Sequence, residues 1–363
     1  MYKRYRSTVL EVYLQNIVDN YQALADYVDN KTVIPVIKAD AYGHGAVKVC
    51  QALIDHGVTF FAVSLLEEAL ELREHFETID ILVMGVVDAD ALPVMAKHRL
   101  ACTVYEESFA EDVLAFHQPL NVHLKVDTGM NRLGFKNHDA IKAFASRIET
   151  HKTLTLEGIY THFASSDGHP DFTALQAERF KHIVQALPKR PKVVHIANTS
   201  GAINIENQLD FTTHVRSGIL LFGSTFEKGF KPLKTASALK TRIVQIKHLK
   251  AGEHVGYNIT YTASEDEIIG VLPIGYADGF LRKHQGGNVS INGKRYPIVG
   301  RVCMDQSFIK IDASISKDDS VIMYGDDVVT IEAIAKQLDT ITYEAFCLIS
   351  KRVPRVYPPK EES

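Results

Sequence analysis

Apolar runs of strand length alternate with stretches of helical periodicity eight times within about the first 220 residues. The runs are rich in β-branched residues, which is typical of buried parallel strands. They lie at Val33–Ile37, Phe60–Val63, Ile79–Met84, Leu100–Val104, Val122–Val126, Leu156–His162, Val193–Ile196 and roughly Thr213–Arg216. This alternation predicts an α/β fold of the (β/α)8 TIM-like barrel type. An open doubly wound sheet is the alternative, but no glycine fingerprint of the dinucleotide-binding type follows the first run.

The pattern changes beyond about Lys234, where segments become short, β-rich and bounded by Gly, Asn or Asp. We therefore predict a barrel domain over residues 1–235 and a mostly β C-terminal domain over residues 236–363, with the first ~10 residues joining the second domain. Strands are predicted at Thr241–His248, Glu267–Leu272, Gly287–Val299, Ser307–Ile311 and Ser320–Tyr324. Asn292-Gly293 is a hairpin signal, and Ile331–Leu338 is predicted to be helical.

The composition argues against several classes of function. A formal net charge of −4 provides no basic footprint for nucleic acid. The four cysteines lie far apart without a C-x-x-C pair, so we expect neither a metal site nor a disulfide framework. The first 18 residues contain no long apolar run, and we expect no signal peptide, no membrane association and a cytoplasmic location.

Reactive side chains are expected at the carboxyl ends of the barrel strands, where such folds bind their substrates. Lys38 follows the first apolar run, and a buried ammonium must be paired or chemically used because burying it alone is costly. A lysine that reaches solvent from the strand end is the alternative. Further candidates follow the later runs: Lys125, Asp127, Arg132, His162, His195, Asn198, Thr199, Arg216, Ser217 and Gly218. A lone strand-end His or Arg is more often a structural partner, but convergence on one barrel mouth favours function.

Small polar residues follow the seventh and eighth runs, at Asn198–Gly201 and Ser217–Ile219. Barrels often bind phosphate in these two loops, through backbone N–H groups and hydroxyls. A lysine on one side of the mouth, a phosphate cradle opposite and an arginine between them suit an aldehyde cofactor that carries a phosphate. Pyridoxal phosphate (PLP) fits that description.

The run VIKADAYGHG, residues 36–45, resembles the PLP-binding signature of alanine racemases. Further matches to this family are KVDTGMNRLG (125–134), YTHF (160–163), His195 with Asn198, VRSG (215–218), VGY (255–257), GYADG (275–279), VGRVCMD (299–305) and RVPRVY (352–357). The resemblance covers nearly the whole chain. It implies a homodimer that interconverts L- and D-alanine and supplies D-alanine for cell-wall peptidoglycan.

The resemblance also implies a role for each matching residue. Lys38 would bind the cofactor covalently and serve as acid and base on one face of the substrate. Tyr257, from the other subunit of a head-to-tail dimer, would act on the opposite face. Arg216 would hydrogen-bond the pyridine nitrogen, and His162 would link Arg216 to Tyr257.

Other implied roles concern the phosphate, the substrate and the entrance. The expected cofactor contacts are Tyr42, Asn198, Thr199, Gly218, Ile219 and Tyr357. Arg132 and the Met304 backbone N–H would bind the substrate carboxylate, and Lys125 matches a lysine that is often carbamylated and then positions Arg132. The residues implied at the entrance or dimer interface are Tyr276, Arg282, Arg301 and Asp305.

Five positions depart from the family pattern: Asn131, Thr199, Ser217, Phe222 and Asn258. Asn131 and Asn258 stand where glycine is common, and asparagine tolerates positive φ better than most residues, so we expect the backbone to be kept. Thr199 retains the hydroxyl of the usual serine. No departure removes a group that the chemistry needs, although substrate preference and loop geometry stay open.

Three other functions are weighed against alanine racemisation. A racemase that prefers serine or accepts many amino acids would carry the same motifs. PLP-dependent decarboxylases share the architecture but not the Tyr257 and Cys303-Met304-Asp305 motifs. A non-enzymatic PLP homeostasis protein would resemble the barrel alone, and the second domain with Tyr257 argues against it.

Overall fold

The fold consists of a parallel barrel and a set of smaller, mostly antiparallel sheets. The computed structural model describes residues 5–205, 208–225, 230 and 233–359. The described chain starts with strand β1 (Val9–Val12) and helix α1 (Leu14–Tyr27), which buries Ile17, Val18 and Leu24. Within the described residues, no helix combines the length and apolar character needed to cross a membrane.

Eight parallel strands form the barrel, as the periodicity predicted. They are β2 (Thr32–Pro35), β3 (Phe60–Val63), β4 (Asp80–Val83), β5 (Ala101–Val104), β6 (Leu120–Lys125), β7 (Leu154–Tyr160), β8 (Val193–His195) and β9 (His214–Ser217). Neighbours pair in the order β2-β9-β8-β7-β6-β5-β4-β3. A parallel bridge between Val36 and Ala62 brings the two ends of this sheet together and nearly closes the barrel.

Helices connect these strands and lie outside them, because their apolar residues recur at helical spacing and face the sheet. They are α2 (Lys38–Gly43), α3 (Ala46–Asp55), α4 (Leu66–His75), α5 (Leu92–Lys97), α6 (Glu107–Leu114), α7 (His138–Glu149), α8 (Pro170–Gln185) and α9 (Thr199–Asn204). Local signals fix several starts. The Asn137 side chain caps α7 by accepting N–H groups of Asp139 and Ala140, and Pro170 occupies the first turn of α8.

Beyond residue 236 the chain forms mostly β structure. Its strands are β10 (Ser237–Arg242), β11 (Gln245–Leu249), β12 (His254–Val255), β13 (Tyr261–Thr262), β14 (Glu267–Leu272), β15 (Asn288–Ile291), β16 (Lys294–Pro297), β17 (Ser307–Ile311), β18 (Ser320–Tyr324) and β19 (Arg355–Val356). The sheets have the orders β16-β15-β18-β10-β1-β19, β11-β14-β17 and β12-β13. Helices α10 (Ile331–Leu338) and α11 (Thr342–Cys347) precede the last strand.

Three features of this part differ from the sequence predictions or sharpen them. The single strand predicted at Thr241–His248 was wrong, because β10 and β11 belong to different sheets and the chain passes between them at residues 243–244. The hairpin predicted at Asn292-Gly293 is confirmed, and both residues have positive φ. Strand β1 pairs with β10 and β19, so the two ends of the described chain share one sheet.

Candidate functional site

A cavity of about 360 Å³ opens at the carboxyl ends of the barrel strands. Ten residues predicted from the sequence line it: Lys38, Tyr42, Lys125, Arg132, His162, Asn198, Thr199, Arg216, Gly218 and Ile219. Four of these are lysine or arginine, and no Asp or Glu of the described residues lines the cavity. Clustered positive charge in a concave site attracts anions, so the cavity suits a ligand with phosphate or carboxylate groups.

Lys38 enters the cavity from a left-handed turn and not from a strand end. Strand β2 ends at Pro35, and residues 39–42 have φ between 52° and 54°, a region that L-residues seldom adopt. The turn directs Tyr42 into the same cavity as Lys38. Burial, and next the nearby Arg132 charge, lower the pKa of Lys38, which raises the fraction of neutral, nucleophilic amine at neutral pH.

The Glu68 carboxylate on α4 holds this turn in place. One oxygen accepts the Ala39 N–H at 2.6 Å, and the other accepts the N–H groups of Ser64 and Leu65 at 2.9 Å and 3.0 Å. A charged acceptor therefore connects the residue after Lys38 to the start of α4. Hydrogen bonds to an ionised group are stronger than neutral ones, so this contact opposes the strain of the left-handed backbone.

We expect Glu68→Ala to lower the free energy of unfolding by about 2 kcal/mol, because it removes the shared acceptor of three backbone N–H groups. Urea unfolding followed by circular dichroism measures the change. Glu67→Ala is the matched control, since Glu67 is the exposed neighbour in the same helical turn and its loss is expected to cost within about 0.5 kcal/mol. Equal losses for the two variants would contradict this role of Glu68.

Arg216 lies buried beneath the cavity with its donors directed to neutral acceptors. Its Nη2 donates to the carbonyl oxygens of Thr161 and Ile196 at 2.9 Å and 2.8 Å and to His162 Nδ1 at 3.0 Å. Its Nη1 donates to His195 Nδ1 at 2.7 Å. Burial lowers the pKa of Arg216 to about 10, so the side chain keeps its charge at neutral pH.

The two histidines next to Arg216 are held neutral. Burial first, and then the Arg216 charge, push the pKa of His162 and of His195 well below the usual value. A guanidinium has donors only, so each Nδ1 must accept and each ring proton must be on Nε2. His162 can therefore donate from Nε2 to a further group.

Lys125 ends β6 as a buried amine over the ring of Tyr160. Its Nζ lies 4.8 Å from the ring centroid, and the centre of the Arg216 guanidinium lies 5.4 Å from it. Burial, and next the charges of Arg216 and Arg132, lower the pKa of Lys125 well below its usual value. The lowered pKa raises the fraction of neutral, nucleophilic amine at Lys125.

A group of small and neutral polar residues lines the opposite side of the cavity. A Cβ at Gly218 would lie 2.4 Å from the Tyr42 hydroxyl, so glycine is needed for the two to approach. Thr199 and Ile219 each begin a helical turn, and the first N–H groups of a helical turn have no acceptor within it. The Asn198 side chain caps Gly201. Hydroxyls, free N–H groups and this glycine-bounded space fit a phosphate group.

Tyr357 lies against His44 and Gly45, which follow the Lys38 turn, and its role as a cofactor contact stays a prediction. Its hydroxyl donates to the carbonyl oxygen of His44 at 3.1 Å and lies where a Cβ of Gly45 would be. Tyr343 of α11 lines the cavity, with its ring centroid 6.0 Å from that of Tyr42. Sequence reasoning missed α11, so it also missed Tyr343.

A second group of predicted residues lies outside the cavity. Tyr257, Tyr276, Arg282 and Arg301 line a separate open groove. The Tyr257 side chain is 70% exposed and that of Met304 is 53% exposed. Asp305 accepts a hydrogen bond from Arg352 at 2.7 Å. One chain therefore presents these groups on its surface, away from its own Lys38.

The backbone expected at the two asparagines is confirmed. Asn131 has φ 59° and Asn258 has φ 61°, both in the left-handed region. Asparagine occupies this region more readily than other residues with a Cβ, so it can replace glycine here. The turn that presents Tyr257 is therefore maintained.

Comparisons with known proteins agree over nearly the whole chain. The model described as "Alanine racemase, N-terminal domain" matches residues 12–225, and "Alanine racemase, C-terminal domain" matches residues 236–357. The alanine racemase of Geobacillus stearothermophilus is 40% identical over 97% of this chain and 94% of its own. The crystal structure of alanine racemase from E. faecalis has a TM-score of 0.92 at 37% identity, covering 97% of this chain and 98% of that chain. A histidine racemase from Leuconostoc mesenteroides subsp. sake has a TM-score of 0.90 at 28% identity, covering 98% of this chain and 99% of that chain.

Proposed function

The chain belongs to the alanine racemase family, and from this premise we propose that it interconverts L-alanine and D-alanine with PLP as cofactor. The observation that carries the proposal is the composition of the cavity. It combines a Lys38 amine of lowered pKa, a buried Arg216 and a cradle of neutral donors, with four lysine or arginine residues and no acidic residue among its described lining. Both the phosphate and the substrate carboxylate are anionic, as such a cavity requires.

Different residues of the cavity fit the aldehyde, the ring nitrogen and the phosphate of PLP. Lys38 would hold the cofactor through its aldehyde, and Arg216 would face the pyridine nitrogen. The proposed phosphate contacts are Tyr42, Asn198, Thr199, Gly218 and Ile219 of the cavity lining together with Tyr357, and we add Tyr343. When bound, PLP delocalises the negative charge that develops on the substrate Cα as its proton leaves. Arg216 keeps its own proton, so it stabilises the nitrogen by hydrogen bonding and does not protonate it.

Racemisation needs a proton donor and acceptor on each face of Cα, because a single group returns the proton to the face it came from. Lys38 acts on one face. We propose that Tyr257 of a second copy of the chain acts on the other, so that the active enzyme is a homodimer. The exposure of Tyr257 in a groove separate from the cavity supports this arrangement. Tyr276, Arg282, Arg301 and Asp305 would then lie at the entrance between the subunits.

His162 and Arg132 complete the proposed site. His162 accepts from Arg216 at Nδ1, so its Nε2 proton is available to the Tyr257 oxygen. Arg132 would face the substrate carboxylate, which the Met304 backbone N–H of the second chain would also contact. Lys125 is proposed to be carbamylated, since its lowered pKa favours the neutral amine, which can add to carbon dioxide with release of a proton. The resulting anion would orient Arg132.

The domain boundaries and the use of the product are also proposals. Residues 1–235 are the cofactor-binding barrel and residues 236–363 the β domain, which the two matched family segments support. The product D-alanine would serve peptidoglycan synthesis in the cytoplasm. The first ~10 residues belong with the β domain, because β1 pairs with β10.

An assay for D-alanine formed from L-alanine, with and without added PLP, tests the function. We expect racemisation that depends on PLP and ends at equal amounts of the enantiomers. Serine, lysine and histidine as substrates test the second candidate, a racemase of other preference, which the histidine racemase neighbour favours. Faster turnover of any of them would overturn the substrate assignment. Release of carbon dioxide would indicate a decarboxylase, and PLP binding without racemisation would indicate a homeostasis protein.

A further inference from the structure

Three polar side chains cross the barrel interior from Arg216 towards the amino ends of the strands. They are His195 on β8, His123 on β6 and Glu157 on β7. Both histidines are fully buried, whereas the Glu157 side chain is 19% exposed. Burying a polar group in a barrel core costs free energy unless the group is hydrogen-bonded. A chain of three such groups therefore suggests a function.

The distances define one direction for every hydrogen in this chain. Arg216 Nη1 donates to His195 Nδ1 at 2.7 Å, so the His195 proton is on Nε2. His195 Nε2 lies 3.2 Å from His123 Nδ1, which must therefore accept. The His123 proton is then on Nε2, 3.5 Å from Glu157 Oε2 and without a closer partner among the described residues.

The backbone around His123 is shaped to hold this chain. Val122 pairs with Leu156 but His123 pairs with Gly158, so Glu157 is the extra residue of a β-bulge. A bulge redirects the side chain of the extra residue. A Cβ at Gly158 would lie 2.3 Å from His123 Nδ1, so only glycine leaves room for the imidazole. The local irregularity of β7 and its glycine both serve the His123–Glu157 contact.

The charges at the two ends are opposite. Arg216 forms no ion pair with a described carboxylate, although it is buried and charged. The nearby His123 ring, with Nε2 3.5 Å from the carboxylate, holds the pKa of Glu157 below its usual value, and Lys192 lowers it further. Two imidazoles thus separate a buried cation from a carboxylate, and the hydrogen-bond directions orient every N–H towards the carboxylate.

We propose that Glu157 is a positioning residue for Arg216, acting through fixed tautomers of His123 and His195. The Glu157 carboxylate attracts the His123 Nε2–H, so His123 Nδ1 carries no proton and accepts from His195 Nε2. His195 Nδ1 is then free to accept a hydrogen bond from Arg216. The guanidinium is thereby locked with its remaining edge towards the cavity. The inference rests on the proposed role of Arg216 at the pyridine nitrogen. It adds that a carboxylate towards the opposite end of the barrel positions Arg216 for that role.

The test compares Glu157→Gln with Glu157→Leu, using Lys192→Gln as the control that removes a positive charge near Glu157. Ring nitrogen shifts of ¹⁵N-labelled histidine in cofactor-free protein report the tautomers. We expect wild-type, Lys192→Gln and Glu157→Gln proteins to keep His123 and His195 protonated on Nε2, because the glutamine oxygen still accepts. Glu157→Leu is expected to give mixed tautomers at both histidines.

The dissociation constant for PLP is the second readout. It should stay near the wild-type value in Glu157→Gln and rise roughly ten-fold or more in Glu157→Leu, the effect usual for loss of an outer hydrogen-bond partner. If Glu157→Leu does not fold, Gly158→Ala displaces His123 while keeping the carboxylate, and the same two changes are expected.

The proposal would be overturned if Glu157→Leu and Gly158→Ala both kept the wild-type histidine tautomers and the wild-type affinity for PLP. Equal changes in tautomers and PLP affinity in Glu157→Gln and Glu157→Leu would overturn it as well, since the accepting oxygen would then be irrelevant. A failure of the proposed function is distinguishable, because wild-type protein would then not racemise alanine while the tautomer measurements, made without cofactor, would be unaffected.

Discussion

Lys38→Ala and Tyr257→Ala chains, each inactive alone, are expected to regain roughly a quarter of wild-type activity when they are mixed and allowed to exchange subunits. Lys38 lies in the barrel cavity, whereas Tyr257 lies 70% exposed in a separate groove of the same chain. If a site combines Lys38 of one chain with Tyr257 of the other, each mixed dimer contains one intact site and one doubly damaged site. Random exchange makes about half the dimers mixed, so about one site in four is intact.

The matched control places both substitutions on one chain and mixes it with wild-type protein. Each site of such a mixed dimer then lacks either Lys38 or Tyr257, so activity per wild-type chain is expected to fall by about half. Sites confined to one chain would give the opposite pair of results, with no recovery in the first mixture and no loss in the second. Mass spectrometry of the intact dimers verifies that exchange has occurred.

The barrel could be predicted because most of its strands are buried on both faces and therefore contain runs of apolar residues. The same reasoning located the strand-end residues that line the cavity, since the carboxyl ends of parallel strands converge. The conformation of the Lys38 turn could not be predicted. Residues 39–42 have side chains disfavoured at positive φ, and the group that holds them, Glu68, comes from a different helix.

Tyr343 escaped prediction for a related reason. It belongs to α11, a six-residue helix whose apolar pattern is too short to recognise, and it reaches the barrel cavity only through the packing of the C-terminal part. Tyr357 was named from the sequence because it ends a recognised motif. A motif defines which residues recur along a chain, and it gives no information about Tyr343, which lies outside every recognised motif and reaches the cavity through tertiary packing.

Tyr160 was part of a recognised motif without an assigned role. The structure shows that its ring lies stacked against His195, with Lys125 above it. Burial raises the pKa of Tyr160 to about 12, so the hydroxyl stays protonated and cannot serve as a base. From sequence alone, a tyrosine within a strand is interpreted as a core residue. The contacts of its ring with Lys125 and Arg216 become visible only in three dimensions.

Tyr257→Phe is expected to slow proton removal from L-alanine by about 10²–10⁴-fold while largely sparing proton removal from D-alanine. The substitution deletes one hydroxyl and keeps the ring, so the groove that contains Tyr257 should be preserved. Lys38 remains on its own face of Cα and can still remove and return the proton of the D-enantiomer. Racemisation fails because the opposite face has lost its proton donor.

Solvent deuterium exchange into each pure enantiomer, followed by proton NMR, separates the two faces. Loss of exchange from L-alanine with retained exchange from D-alanine is the expected pattern, and the D-alanine recovered should keep its configuration. Tyr276→Phe is the matched control, because Tyr276 lines the same groove as Tyr257. Equal loss from both enantiomers in Tyr257→Phe would show that the hydroxyl does not belong to one face, and the assignment of Lys38 and Tyr257 to opposite sides would then fail.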